Sequence, residues 1–325
     1  MDILVLEEAP FIDDLLPFTA TRHVLDIRMG ILTFRERWEW ERWQRRSRPD
    51  VNAPGTRHIR YPWDIFLHNA TALIEDFALI TSGRVSQPIP SSVQAIAADN
   101  IFIEEGARLH HCILNASTGP IYIGREAEIM EGATIRGPFA LCESAVVKMG
   151  TRIYGATTIG PHSVVGGEIK NAVIFGYSNK AHDGYLGDSV IGEWCNLGAG
   201  TSNSNIKNTA ENVKVWHPAS GSYLDAGLKC GLLMGDYSRC AINSSFNTGT
   251  FVGVSAHVAG TGLTPKYIPD FSWGYPEPVR YEWDKALRDI ANWKKLKNRS
   301  LSDNEILTLQ RIFEKVQTTK NPFNR

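Results

Sequence analysis

Two cations and a histidine stand out for what they could do together. Arg152 and Lys170 lie eighteen residues apart, and each closes a six-residue unit of a repeat that spans residues 123–170. If three such units close one turn, the two side chains share a corner of adjacent coils, about 4.8 Å apart along the stack. Stacked cations repel unless an anion lies between or above them. The pair therefore reads either as a phosphate clamp or as two solvated corner residues. Twelve residues after Lys170 comes His182, between Lys180 and Asp183, where the repeat breaks. Histidine titrates nearest neutrality of all side chains, which suits it to take a proton during catalysis. Taken alone, a loop histidine is more often ordinary surface.

The elements that must hold these groups follow from the repeat. The first residues of its eight units are Ile123, Ile129, Ile135, Leu141, Val147, Ile153, Ile159 and Val165, and the fifth residues are mostly small. A fixed period of six of this kind marks a parallel β-helix in which each unit forms one short face of a coil. A helix would place apolar residues at i, i+3, i+4 and i+7, and an ordinary half-buried strand at every second position. Earlier units begin at Ile103 and Leu109. After a loop over about 178–184 the period returns at Ile191 and Leu197, and after a polar interruption over about 202–229 it returns at Met234, Cys240, Phe246, Val252 and Val258.

Three regions result: a small α/β segment over 1–85, coils over 93–262, and an extended segment with helices over 263–325. In the first region, 2–6 reads as a short strand, and 35–48 (RERWEWERWQRRSR) as an amphipathic helix. Its interspersed glutamates favour a solvated helix packed by Trp38, Trp40 and Trp43 over a nucleic-acid surface. A second helix is expected over 63–80, and a joint rich in serine, glycine and proline over 82–92. The last region opens with Pro265, Pro269, Pro276 and Pro278. Helical spacing over 283–297 follows, and then a capping box, Ser302 with Glu305. Open ends of a β-helix leave backbone groups unpaired, so the flanking segments are expected to cover them.

Composition narrows the function. A net charge of −1 gives no global field for nucleic acid or an anionic membrane. Asp2, Glu7 and Glu8 stand where a signal peptide needs positive charge, and no apolar run reaches membrane-spanning length, so a cytoplasmic location is expected. Five cysteines, odd in number and without a CxxC pair, suit reduced, buried thiols better than disulfides or zinc. Only His110 and His111 are close neighbours among the other histidines, and adjacent strand residues point to opposite faces, so no metal site is expected.

The stretches GTRIYG, VVGGEIK and NKAHDGYLGDSVIGEWCNLGAGTSNSN, within 150–205, resemble the acetyltransferase half of the bifunctional bacterial glucosamine-1-phosphate acetyltransferase/N-acetylglucosamine-1-phosphate uridylyltransferase family. The resemblance implies that Arg152 and Lys170 hold a sugar phosphate and that His182 is the catalytic histidine. It further implies that Tyr185 and Asn196 bind substrate, that Asn205 supports the histidine, and that a backbone amide near Ala199 meets the thioester of acetyl-CoA. A left-handed winding and a homotrimer with acyl-CoA between subunits are also implied. Ile206 and Glu211 depart from the family, which has a tyrosine and a lysine there. The segment LLPFTATRHVLDIRMGILTFRERW looks like the opening of sugar nucleotidyltransferase-like proteins with a β-helical tail. A working nucleotidyltransferase, however, needs a Gly-rich loop after its first strand to cradle phosphates, and Glu7, Glu8, Ala9 and Pro10 stand there. The segment thus reads as a truncated relative. The expected function is an acyl-CoA-dependent N-acyltransferase, requiring no metal, that acts on an amino-sugar phosphate such as glucosamine 1-phosphate. The alternatives are a non-catalytic trimeric scaffold or sugar-nucleotide sensor, or residual nucleotidyl transfer.

Overall fold

The computed structural model of the chain describes residues 12–45 and 59–318. The strand expected over 2–6 and the end of the helix expected over 35–48 lie outside the described residues.

Short parallel strands stack into a β-helix with three faces. The first face runs through Gln94–Ile96, Ile113–Asn115, Thr134–Arg136 and Arg152–Tyr154 into the leading halves of Glu168–Ile174 and Tyr185–Ile191. The second includes Phe139–Leu141, Thr157–Ile159, the trailing halves of those two longer strands, Leu232–Met234 and Thr250–Val252. The third includes Val146–Val147, Val164–Val165, Asn179–Lys180, Asn196–Leu197 and Arg239–Cys240. All eight leading residues of the repeat point inward and are at most 2% exposed. Stacked on their equivalents above and below, these aliphatic columns form a continuous core that no single coil could make alone.

The repeat is not as regular as the period implies. Four residues separate Val147 from Arg152, and four separate Lys180 from Tyr185, but only Gly166 and Gly167 separate Val165 from Glu168. Ile169 therefore takes the inward slot, and Arg152 pairs with Glu168 while Tyr154 pairs with Lys170. Glycine is required at this short corner. Gly167 sits at φ +78°, and a Cβ there would lie 2.8 Å from the carbonyl oxygen of His182. The expected loop over 178–184 is also smaller than the sequence indicates. Asn179–Lys180 is a strand of the third face, which leaves 181–184 as a corner. Within the polar interruption, Ser202–Asn203 stays in the stack and Lys214–His217 pairs with Ser222–Asp225 as an antiparallel hairpin.

The flanking segments lie mainly along the sides of the coils rather than over their ends. The N-terminal segment contains helices α1 (Phe34–Arg45), α2 (Asp64–Leu67) and α3 (Asn69–Thr81). Its Leu15, Phe18, Ile65 and Phe66 pack on Val173, Val190, Leu233 and Phe251, which point outward from the second face. A sheet face this apolar must be buried. Helices α4 (Trp283–Lys295) and α5 (Asp303–Thr318) pack against Trp194, Tyr237 and Phe271. The capping box forms as expected, with Ser302 N donating to Glu305 Oε2 at 2.9 Å and Glu305 N to Ser302 Oγ at 3.3 Å. Val279–Arg280 pairs antiparallel with Ser272–Trp273 and closes the last edge of the third face. On the first face, Arg136, Arg152 and Tyr154 remain exposed.

Candidate active site

The short corner decides the layout of the first face. Because Arg152 stands opposite Glu168, its Nη2 lies 3.8 Å from Glu168 Oε2. Tyr154 Oη donates to the other oxygen of that carboxylate at 2.6 Å, and Lys170 Nζ lies 5.8 Å from the centre of the Tyr154 ring. The two cations are not stacked on one corner, as the eighteen-residue spacing implies. They are diagonal neighbours, with an aromatic ring and a carboxylate between them. Among the described residues, Lys170 is the cation of the pair without a carboxylate against it, and so the better placed to meet an added phosphate.

Tyr185 follows Glu168 in the same outward column. Its ring lies back over Gly187, where a Cβ would come within 2.2 Å of the phenol oxygen. Asn205 Nδ2 donates to Tyr185 Oη at 3.0 Å and also to the carboxylate of Asp188. Asn171 Nδ2 donates to the other oxygen of Asp188 at 2.7 Å. Asn205 thus steadies the tyrosine in this chain, where the resemblance implied the histidine. Burial and then the Asp188 charge hold the Tyr185 phenol above its ordinary value, so it stays a neutral hydroxyl. Since its oxygen already accepts from Asn205, its proton is free to donate outward. Sequence reasoning passed over Asp188 and Glu168. The signal for Asp188 was an acidic residue inside a mostly apolar strand, Tyr185–Ile191, where it is only 5% exposed.

His182 is exposed on the corner 181–184. That corner is seated on Gly166 and Gly167 from below, and from above Gly200 N donates to the carbonyl of Asp183 at 3.0 Å. The corner beneath it has two residues where the corners on either side have four. Ala199 lies in the next corner, where its carbonyl accepts from Asn243 N at 2.7 Å. Asn196 sits around the edge on the third face, with Asn179 Nδ2 donating to it at 3.5 Å. One chain therefore gathers Arg152, Lys170, Tyr185 and Asn205 on the first face. It sets His182 and Ala199 on successive corners beside that face and leaves Asn196 around the edge. Glu211, one of the two departures, is 3.6 Å from Lys207 Nζ. Among the described residues, no group of three or more His, Cys, Asp or Glu could hold a metal ion. All five cysteines are free and buried.

The chain is 26% identical over 217 residues to the bifunctional protein GlmU of Methanococcus maripaludis, covering 67% of this chain and 46% of that protein. It is 31% identical over 143 residues to a bifunctional sugar-1-phosphate nucleotidylyltransferase/acetyltransferase of Sulfurisphaera tokodaii, covering 43% and 35%. This chain is a hexapeptide-repeat protein similar to GlmU. Its matches span between a quarter and a half of those relatives' length. A family model described as sugar nucleotidyl transferase matches residues 3–47. Among solved structures, a UDP-N-acetylglucosamine acyltransferase of Arabidopsis overlaps 73% of this chain and 99% of its own at 16% identity, with a TM-score of 0.37. That of Francisella novicida overlaps 72% and 90% at 14% identity, with a TM-score of 0.40. The β-helix itself rests on the strand pairing rather than on these overlaps.

In the N-terminal segment, which includes the residues matched by the family model, polar groups are engaged in docking. Arg22 binds the carboxylate of Asp236, lies 3.6 Å from Glu193, and stacks 4.8 Å above the Phe175 ring. Asn69 accepts from Gly30 N at 2.7 Å and donates to Ala156 O at 3.0 Å. No described helix is long and apolar enough to cross a membrane.

Proposed function

We propose that the protein is an acyl-CoA-dependent N-acyltransferase, with acetyl-CoA as donor, acting on an amino-sugar phosphate such as glucosamine 1-phosphate. It would work in sugar-nucleotide biosynthesis, in the cytoplasm, as a homotrimer. The observation that carries the proposal is the grouping of Lys170, Tyr185 and Asn205 on an exposed face beside the His182 corner, in a chain similar to GlmU over two thirds of its length. Lys170 takes the phosphate and Tyr185 donates to a sugar oxygen, with Asn196 as a further substrate contact from the next face. The free amine attacks the thioester carbon as His182 removes its proton. The oxyanion develops toward the amide near Ala199. Collapse breaks the carbon–sulfur bond, and the imidazolium returns the proton to the departing CoA thiolate.

A second reading is a non-catalytic sugar-nucleotide-binding scaffold. It is favoured by the pairing of Arg152 with Glu168 and by Ile206 and Glu211 at the departed positions. Residual nucleotidyl transfer is the weaker option, because Arg22 and Gly30 are committed to docking. Titrating acetyl-CoA and glucosamine 1-phosphate separately by calorimetry, followed by an assay for released thiol, separates these readings. Binding of both with thiol release supports transfer, and binding without release in any amino-sugar phosphate supports the scaffold. His182→Ala should retain sugar-phosphate binding while turnover falls by about 10²–10⁴.

A further inference from the structure

Lys180 occupies an inward slot of the coil stack. Its register neighbour below is Val165, and the same column continues through Leu197 and Cys240, so the lysine stands in a run otherwise free of charge. It is 2% exposed. Its Nζ donates to the backbone carbonyl of His182. Desolvation pushes the ammonium down to about 8, opposed by the charge of Asp183. A lysine here is an expensive way to fill the slot, since a straight aliphatic chain of the same length would pack the interior without burying a charge. What the ammonium adds is a hold at the His182 carbonyl itself, in a corner otherwise seated on two glycines and fixed by backbone hydrogen bonds at Asp183 and Gly184.

We propose that Lys180 is a positioning residue, which fixes the 181–184 corner through the His182 carbonyl and so sets the imidazole over the first face. The proposal rests on the reading of His182 as the general base, and its test must be able to fail separately from that reading. Lys180→Met replaces the ammonium by an uncharged chain of similar length. The full-length variant should melt no lower than the wild type, because a buried charge has been removed. Its kcat should fall about 10- to 100-fold, the usual effect of a misplaced catalytic group, with KM for glucosamine 1-phosphate unchanged. In a His182→Ala background the same substitution should have no further effect on rate.

The independent readout is the imidazole itself. The ¹³C and ¹⁵N resonances of His182, assigned by their loss in His182→Ala, should shift or broaden in K180M. In Lys180→Gln, which keeps an N–H donor within reach of the carbonyl, they should stay close to wild type. This holds whether or not acyl transfer is the activity. Unchanged His182 resonances in K180M would overturn the proposal. So would a melting temperature below wild type or a loss of fold, which would assign the lysine to the coil interior. If the resonances move but no acyl transfer is found in the wild type, the functional reading fails and the positioning role stands.

Discussion

Arg152 and Lys170 carry the same charge but differ in what surrounds it. The Glu168 carboxylate already offsets Arg152, whereas Lys170 faces the Tyr154 ring. Lys170→Ala should therefore weaken glucosamine 1-phosphate binding by about 1.5–3 kcal/mol, the worth of a charge-assisted contact, and Arg152→Ala should weaken it less. Glu168→Gln should tighten it by up to about 1 kcal/mol, as expected for an exposed ion pair; calorimetry on the three variants would establish the order. Deeper in the site, Asp188→Asn takes away the charge that helps hold the Tyr185 phenol proton. The ¹³Cζ titration of Tyr185 should then move to lower pH. Lys180 has a pH signature of its own. Its proton is held less tightly in the folded chain, at about 8, than at the ordinary value of 10.5. Between those values the unfolded chain binds more protons, so this contribution makes stability rise with pH. The gain in melting temperature of Lys180→Met over wild type should thus be largest below pH 8 and shrink toward pH 10.

Among the elements, the corner of Gly166 and Gly167 controls most. Gly167→Ala would place a Cβ 2.8 Å from the His182 carbonyl at φ +78°. Both the fold and the His182 corner should suffer, by about 1–3 kcal/mol in chemical denaturation. The internal packing of the N-terminal segment depends on a second point, the fully buried Asp76 in α3. It accepts from Ile31 N at 2.8 Å and Leu32 N at 3.0 Å, and it pairs with Arg37 Nε at 2.7 Å. Asp76→Ala leaves two buried amides without their acceptor and takes the carboxylate from the Arg37 guanidinium, which keeps the Met29 carbonyl. A loss of about 3–5 kcal/mol is expected, with earlier proteolysis of the N-terminal segment than of the coils.

For the whole molecule, the three faces have separate fates. N-terminal residues bury the second, and the C-terminal helices bury the corner between the second and third. The first keeps Ile96, Ile113, Tyr154 and Leu263 exposed beside its charged residues. Apolar groups on an uncovered sheet face favour association with another copy, and closed rings of identical prisms satisfy all copies equally. Light scattering should accordingly give about three times the 36.2 kDa chain mass. Ile113→Lys should shift that mass downward, and a concentration-independent single-chain mass for the wild type would defeat the trimer.

The sequence alone determined which residues line the coil interior. A repeat of six needs only its own copies as packing neighbours, so Ile123 through Val165 could be assigned inward from spacing alone, and the capping box of α5 is equally local. Tertiary structure decided what faces outward and to whom. One corner shorter by two residues moved Lys170 from Arg152 to Tyr154. That change leaves every inward aliphatic in place and was visible in the sequence only as Ile169 in a slot that is elsewhere mostly small. The links of Asn205 to Tyr185 and Asp188, of Lys180 to the His182 corner, and of the N-terminal segment to the second face join positions on different coils or different segments. Each exists because stacking brings distant residues within hydrogen-bond reach, and no local pattern encodes that distance.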